Sequence, residues 1–326
     1  MRMKNKILFC CCLSILFFAS VEANVIDKYD IVVAQDGSGN FTNIESAIES
    51  CKSFPYSRIN IYIKNGVYKE KIIISAWNTK ISLIGENRDS TIITFGDYFS
   101  KIKKGANSTF YTATLLVQGN DFQAKNLTIE NSAGAVGQAI ALAVEADRCS
   151  FENCKILGNQ DTLYAAGENA RQYFSNCYIE GTTDFIFGEA TALFENCIIK
   201  NKADSYITAA STPQSVPYGF VFKDCTLKAA SGITKVYLGR PWRKYARTVF
   251  INCNMGNFIT PKGWDNWKNP DNEKTVFYAE YKSKGAGANI KERGSWSHQL
   301  SAQQAGKYTI ENIFSGKIKW DPLITK

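Results

Sequence analysis

One histidine stands in 326 residues, His298, and it lies in no recognisable motif. A Ser-His-Asp hydrolase needs a histidine base, and most zinc sites draw on histidine or clustered cysteine. Both are set aside, and if the chain is an enzyme its acid–base work falls to carboxylates. Helical periodicity is scarce. One stretch carries it, residues 43–52, where Ile44, Ala47, Ile48 and Cys51 recur at helical spacing. The seven prolines gather into no linker, and no low-complexity run divides the chain. A single domain, residues 24–326, is expected behind a leader. Beyond the leader no segment offers 18 consecutive apolar residues, so no membrane span is expected there.

The leader is read from residues 1–23. Arg2, Lys4 and Lys6 precede an apolar run at 7–18, and Val21-Glu22-Ala23 has small-residue cleavage character. This pattern predicts a secretory signal peptide and an extracellular, soluble product. The chain holds 38 basic and 30 acidic residues; removing three basic residues and Glu22 leaves 35 against 29, or +6. A basic secreted protein attracts polyanions. Export argues for acidic polysaccharide and against nucleic acid. N-x-S/T sequons at Asn40, Asn107 and Asn126 suit an exported glycoprotein.

What the chain does have is a repeat. FENCKI, FSNCYI, FENCII, FKDCTL and FINCNM begin at Phe151, Phe174, Phe194, Phe222 and Phe250, and a looser FQAKNL begins at Phe122. Irregular spacings of 20–29 residues, each with one short alternating strand, predict a solenoid. The expected fold is all-β, a parallel β-helix with a short helix capping its amino end. Cys154, Cys177, Cys197, Cys225 and Cys253 then share one station on successive coils. Stacked strands lie about 4.8 Å apart, so both bridged pairs and buried free thiols stay open. Seven cysteines remain after the leader, so one at least is unpaired within a chain.

Asp161 in NQDTLY follows Phe151 by ten residues, and Asp184 in GTTDFIFG follows Phe174 by ten. They occupy equivalent stations on adjacent coils. Two carboxylates that close split their pKa values into one acid and one base or nucleophile. Turn aspartates that cap backbone N–H groups have the same spacing. Gln138 in GQAIAL and Gln160 are amide donors suited to an oxyanion. Arg240 in YLGRPW offers a fork for a carboxylate. Tyr164, Phe185, Phe187, Trp242 and Trp264 offer flat faces for sugar rings.

GVYKE at 66–70, GQAIAL at 137–142, QDTLY at 160–164, DFIFG at 184–188 and LGRPW at 238–242 occur in an order that resembles the plant pectin methylesterases. The likeness runs over residues 31–320. It implies a right-handed parallel β-helix that removes methyl groups from esterified galacturonan in the cell wall, without metal or organic cofactor. Carried over by motif, Asp184 is the nucleophile and Asp161 the general acid, then base. Gln138 and Gln160 hold the oxyanion, and Arg240 orients Asp184. Mutual repulsion is expected to raise the Asp161 pKa and Arg240 to lower that of Asp184. Tyr164, Phe187, Trp242 and Trp264 line the sugar subsites, and Cys197 is bridged to Cys225. Methyl-esterified pectin is the implied partner, with a proteinaceous pectinesterase inhibitor a second, and a monomer is expected.

Three departures from the family pattern stand out. The seven residues between Ala23 and Ile31 leave no room for an inhibitory pro-region. The stretch between the two aspartates is about two residues longer than usual, near AAGENA. Cys154 lacks its usual upstream partner. Two rival readings are a lyase or polygalacturonase on the same fold, and a wall-binding protein without catalysis. A lyase would want clustered acids for calcium, and none stands out. An inert binder would have no need of the five polar residues together.

Overall fold

The structure, a computed structural model, describes residues 29–324. The expected signal peptide at 1–23 lies outside the described residues. Among these, three parallel sheets of eleven, eight and seven strands stack along one axis. Each full coil visits all three in turn, as in Cys149–Glu152, Lys155–Leu157 and Leu163–Ala165, then Arg171–Ser175, Tyr178–Gly181 and Ile186–Gly188. This is the parallel β-helix that the repeat predicts.

The F-x-N/D-C repeat accounts for the register. Phe151, Phe174, Phe194, Phe222 and Phe250 pair across neighbouring strands. Their rings stack inside the solenoid at 4.5–4.8 Å. Asn153, Asn176, Asn196, Asp224 and Asn252 turn the chain from the first sheet into the second, each with φ of 50–56°. Asn and Asp tolerate that left-handed conformation better than other side chains bearing a Cβ. The following cysteine points inward, and every residue of this thiol column is buried.

The bridge expected between Cys197 and Cys225 is not formed; all seven cysteines of the described residues are free. Their Sγ atoms instead meet the carbonyls of Phe174 and Phe194, at 3.4 and 3.3 Å. The physical reason lies in the ladder. Side chains stacked in register point the same way and keep their Cβ atoms near the strand spacing of about 4.8 Å. A disulfide draws Cβ atoms to about 3.8 Å.

The predicted helix forms over Ile44–Glu49, with Asn43 accepting from the Ser46 amide at 2.8 Å. Ile44, Ala47 and Ile48 face the core. Glu70, of the GVYKE motif, accepts from the Ile44 and Glu45 amides at 3.0 and 2.9 Å. A carboxylate at a helix amino end satisfies orphan donors and the helix dipole together. The motif thus fastens the cap to the first full coil. No helix of the described residues is long and apolar enough to cross a membrane.

Candidate active site

The seven-stranded sheet presents an outward column whose members follow from strand register. It runs Ile73, Leu116, Ala143, Tyr164, Phe187, Ala209 and Arg240. Tyr164 and Phe187 stack at 4.7 Å, and Trp242 meets the Phe187 ring edge-on at 5.8 Å. Phe110, from the 3-10 turn Gly105–Tyr111, packs on Tyr164 at 5.2 Å. Four rings therefore form one apolar floor along the solenoid axis.

Asp161 and Asp184 stand two residues before the paired Leu163 and Ile186, so they are stacked neighbours. Each has a left-handed backbone, φ 63° and 49°. Their amides bond across coils, Asp161 to the Thr183 carbonyl and Asp184 to that of Tyr206, at 3.1 and 2.9 Å. Non-glycine residues in this conformation cost free energy and tend to cluster at functional sites. The glycines of GTTDFIFG serve the same geometry. A Cβ on Gly181 would lie 2.2 Å from that of Phe185, and Gly188, at φ 124°, lies against the Ala165 carbonyl. The chain can therefore cross tightly on both sides of Asp184.

Arg240 answers what holds a carboxylate there. Its Nε donates to Asp184 Oδ1 at 2.9 Å and its Nη2 to Oδ2 at 2.6 Å. Both aspartates are 6% exposed, and neither is free to be stabilised by bulk water. Burial is the largest influence on Asp161 and pushes its carboxyl well above the ordinary range; the Asp184 charge adds to that rise. Arg240 and a hydrogen bond from Gln138 oppose it. Burial also dominates at Asp184, whose carboxyl stays above the ordinary value despite the fork of Arg240. The expected lowering at Asp184 is thus outweighed by desolvation. The split survives as a difference in degree, with Asp161 the more strongly raised.

Gln138 and Gln160 are bridged neighbours one station earlier on adjacent coils, with the Ala139 amide bonded to the Gln160 carbonyl at 3.1 Å. Both are partly exposed beside the two aspartates. The structure therefore gathers Asp161, Asp184, Gln138, Gln160, Arg240, Tyr164, Phe187 and Trp242 in one place.

Trp264 is the exception. It is 2% exposed, stacks on Tyr278 at 4.4 Å and meets the Phe250 ring at a tilt at 5.9 Å, so it closes the inner aromatic stack and is absent from the groove. Its backbone bridges Gly239 and points the ring inward. Phe185 is likewise fully buried. Three residues after Trp264 the chain has turned, and Trp267 covers the Arg240 guanidinium with its ring centroid 3.8 Å from Cζ. Tyr206 covers the opposite contact, at 4.0 Å. Trp267, Tyr206 and Phe110 escaped the sequence reading. GWDNW carried a signal for Trp267, a second aromatic at a turn, whereas Phe110 lies far from every site motif. Among the described residues no three His, Cys, Asp or Glu side chains gather so as to hold a metal ion. His298 is exposed and stacks on Phe277 at 5.0 Å.

Comparison with known proteins agrees with this geometry. The Pectinesterase family model matches residues 30–317. Pectinesterase 31 of Arabidopsis thaliana is 38% identical over 85% of this chain and 89% of its own length. The probable pectinesterase/pectinesterase inhibitor 6 of the same plant is 40% identical over 90% of this chain, but the match spans only 54% of that relative. The chain thus covers about half the length of several relatives it resembles. Pectin methylesterase from carrot superposes with a TM-score of 0.82 at 33% identity, over 88% of this chain and 93% of that one. A pectin methylesterase in complex with a hexasaccharide superposes at 0.79 and 32%, over 91% and 99%. A parallel β-helix with this aspartate pair and this match over nearly all its described residues belongs to the pectinesterase family.

Proposed function

We propose that the protein is a pectin methylesterase that hydrolyses methyl esters of homogalacturonan to free carboxylates and methanol. One observation carries the reading: two buried aspartates on adjacent coils, one gripped by Arg240, beside a floor of aromatic rings. Such a floor suits pyranose rings whose carboxyls are esterified and uncharged.

The roles follow from the asymmetry of the pair. Asp184, paired with Arg240, is the carboxylate more readily ionised and attacks the ester carbonyl. The carbonyl electron pair moves to oxygen, and the Gln138 and Gln160 amides donate to that oxyanion. Collapse breaks the bond to methoxy oxygen. Asp161, more strongly raised and so protonated, gives its proton to the departing methanol. The acyl-enzyme joins Asp184 to the uronic acyl group. Asp161, now ionised, takes a proton from water, whose oxygen attacks the acyl carbon. Asp184 leaves as a carboxylate, Asp161 is again protonated, and the new uronic acid gives its proton to solvent.

Secretion to the cell wall and a proteinaceous inhibitor as partner belong to the same proposal. Family membership and the leader pattern support them. The test is methanol release from methyl-esterified pectin in excess EDTA, with polymer length followed in parallel. Methanol without chain scission supports the reading. Scission, unsaturated ends or no methanol overturns it in favour of a lyase, a polygalacturonase or a binder.

A further inference from the structure

We infer that Trp267, with Tyr206, is a positioning residue for the reaction proposed above: the two rings clamp the Arg240 guanidinium so that its fork stays on Asp184. The inference rests on that reading of the site.

Arg240 needs such support. It ends the outward column of its sheet, where Ala209, its neighbour on the preceding strand, offers only a methyl group. A methyl group does not fix the rotation of a long side chain. The Tyr206 and Trp267 rings lie 4.0 and 3.8 Å from Cζ, well within the 6 Å of a cation–π contact. Tyr206 is itself backed by Tyr237, stacked at 5.3 Å. A planar guanidinium between two rings loses its torsional freedom while its edge remains open to a carboxylate.

The loop that carries Trp267 is built to hold it there. Trp267 and Lys268 both have left-handed backbones, φ 59° and 55°. The Asp265 carboxylate accepts from the Trp267 amide at 2.7 Å, and the Asp265 amide bonds to the Gly239 carbonyl at 3.1 Å. Asn266 donates to Glu273 at 2.7 Å, and Asn272 donates to the Asn266 carbonyl at 3.0 Å. Two strained residues thus persist because a hydrogen-bonded turn fixes them. The same turn joins the loop to Gly239, the residue before Arg240. Trp267 remains 36% exposed, so core packing does not account for its position.

The charged and titratable groups facing Asp184 are Arg240 and Asp265, Asp161 on the preceding coil, Tyr206 on the next, and Tyr278 behind. Among these only Arg240 is cationic. Loosening it therefore leaves Asp184 easier to protonate, with no second cation among these groups to compensate.

The experiment compares wild type, Trp267→Ala, Trp267→Phe and Tyr206→Leu, with matched thermal melts as the folding control. Each is assayed across pH on a short neutral methyl-esterified oligogalacturonate. Trp267→Ala should lower kcat by about tenfold, between the effects of an exposed and of a desolvated cation–π contact. Its acid limb should move up by about half to one pH unit, while Trp267→Phe restores most of both. Tyr206→Leu should shift the limb in the same direction. A rise in KM alone, with kcat and the acid limb unmoved, makes Trp267 a sugar platform and overturns the inference. Unchanged kinetics in a folded Trp267→Ala does so as well. If wild type releases no methanol at all, the parent reading fails instead.

Discussion

Arg240 grips both carboxylate oxygens of Asp184, at 2.9 and 2.6 Å, and so makes two aspartates on adjacent coils chemically unequal. The stacked backbone brings like groups together at about 4.8 Å; the single fork decides which of them ionises first. A charged-group hydrogen bond is worth about 1.5–3 kcal/mol. Arg240→Lys keeps the charge but removes the fork. Turnover should fall by more than about tenfold, the change that ~1.4 kcal/mol brings. Steady-state methanol release checks this, and full activity in the lysine variant removes Arg240 from its assigned role.

Asp161→Asn should abolish the high-pH limb of the rate profile, together with most of the turnover. Wild type should also show an acid limb above the ordinary aspartate value of about 3.9, since burial raises Asp184 as well. The pair titrates as a unit, so the profile reports macroscopic values. A high-pH limb that persists unchanged in the Asp161→Asn residual activity assigns the acid to another group.

The same substitution should stabilise the fold at neutral pH. A carboxyl raised in the folded state is ionised in the unfolded chain at pH 7 while the native protein still resists ionisation. Its burial therefore lowers stability above the unfolded value of about 3.9, and the penalty vanishes below it. Asp161→Asn should raise Tm at pH 7 and change it little near pH 3. This is the trade between stability and activity expected of a buried catalytic acid.

Trp264 and Tyr164 separate core from groove. Trp264→Ala opens a cavity beside Phe250 and Tyr278 and should cost about 3–5 kcal/mol in denaturant unfolding. Tyr164→Ala should leave stability closer to wild type and raise KM for oligogalacturonates. The reverse pattern would return Trp264 to the sugar site.

Much of this could be read from residues alone. The Phe and Asn-Cys ladder sets the coil register, and register places Asp161 against Asp184 without further information. The Asn or Asp at each of these first turns is legible because few other residues adopt its backbone. What escaped had physical reasons. Two tryptophans three apart in GWDNW sit on either side of a turn, and only the Gly239 bridge shows which points inward. Phe110 reaches Tyr164 from an excursion 54 residues upstream, beyond any local pattern. The net direction at Asp184 depends on how much water burial removes, a quantity that sequence spacing does not contain. The family likeness implied a bridge between Cys197 and Cys225, whereas the in-register ladder keeps both thiols free.

Those thiols give a direct chemical readout. Protein denatured without reductant and alkylated should carry label at both Cys197 and Cys225. Recovery of a linked peptide instead would show that the ladder closes by a local shift of the strands.

The most direct test of the central claim is methanol release by wild type and Asp184→Asn, measured on methyl-esterified homogalacturonan with equal melting curves as the folding control. The account predicts release by wild type and a loss of at least roughly 10³-fold in the variant, the scale seen when an essential catalytic group is removed. Near-normal release by a folded Asp184→Asn protein would contradict it.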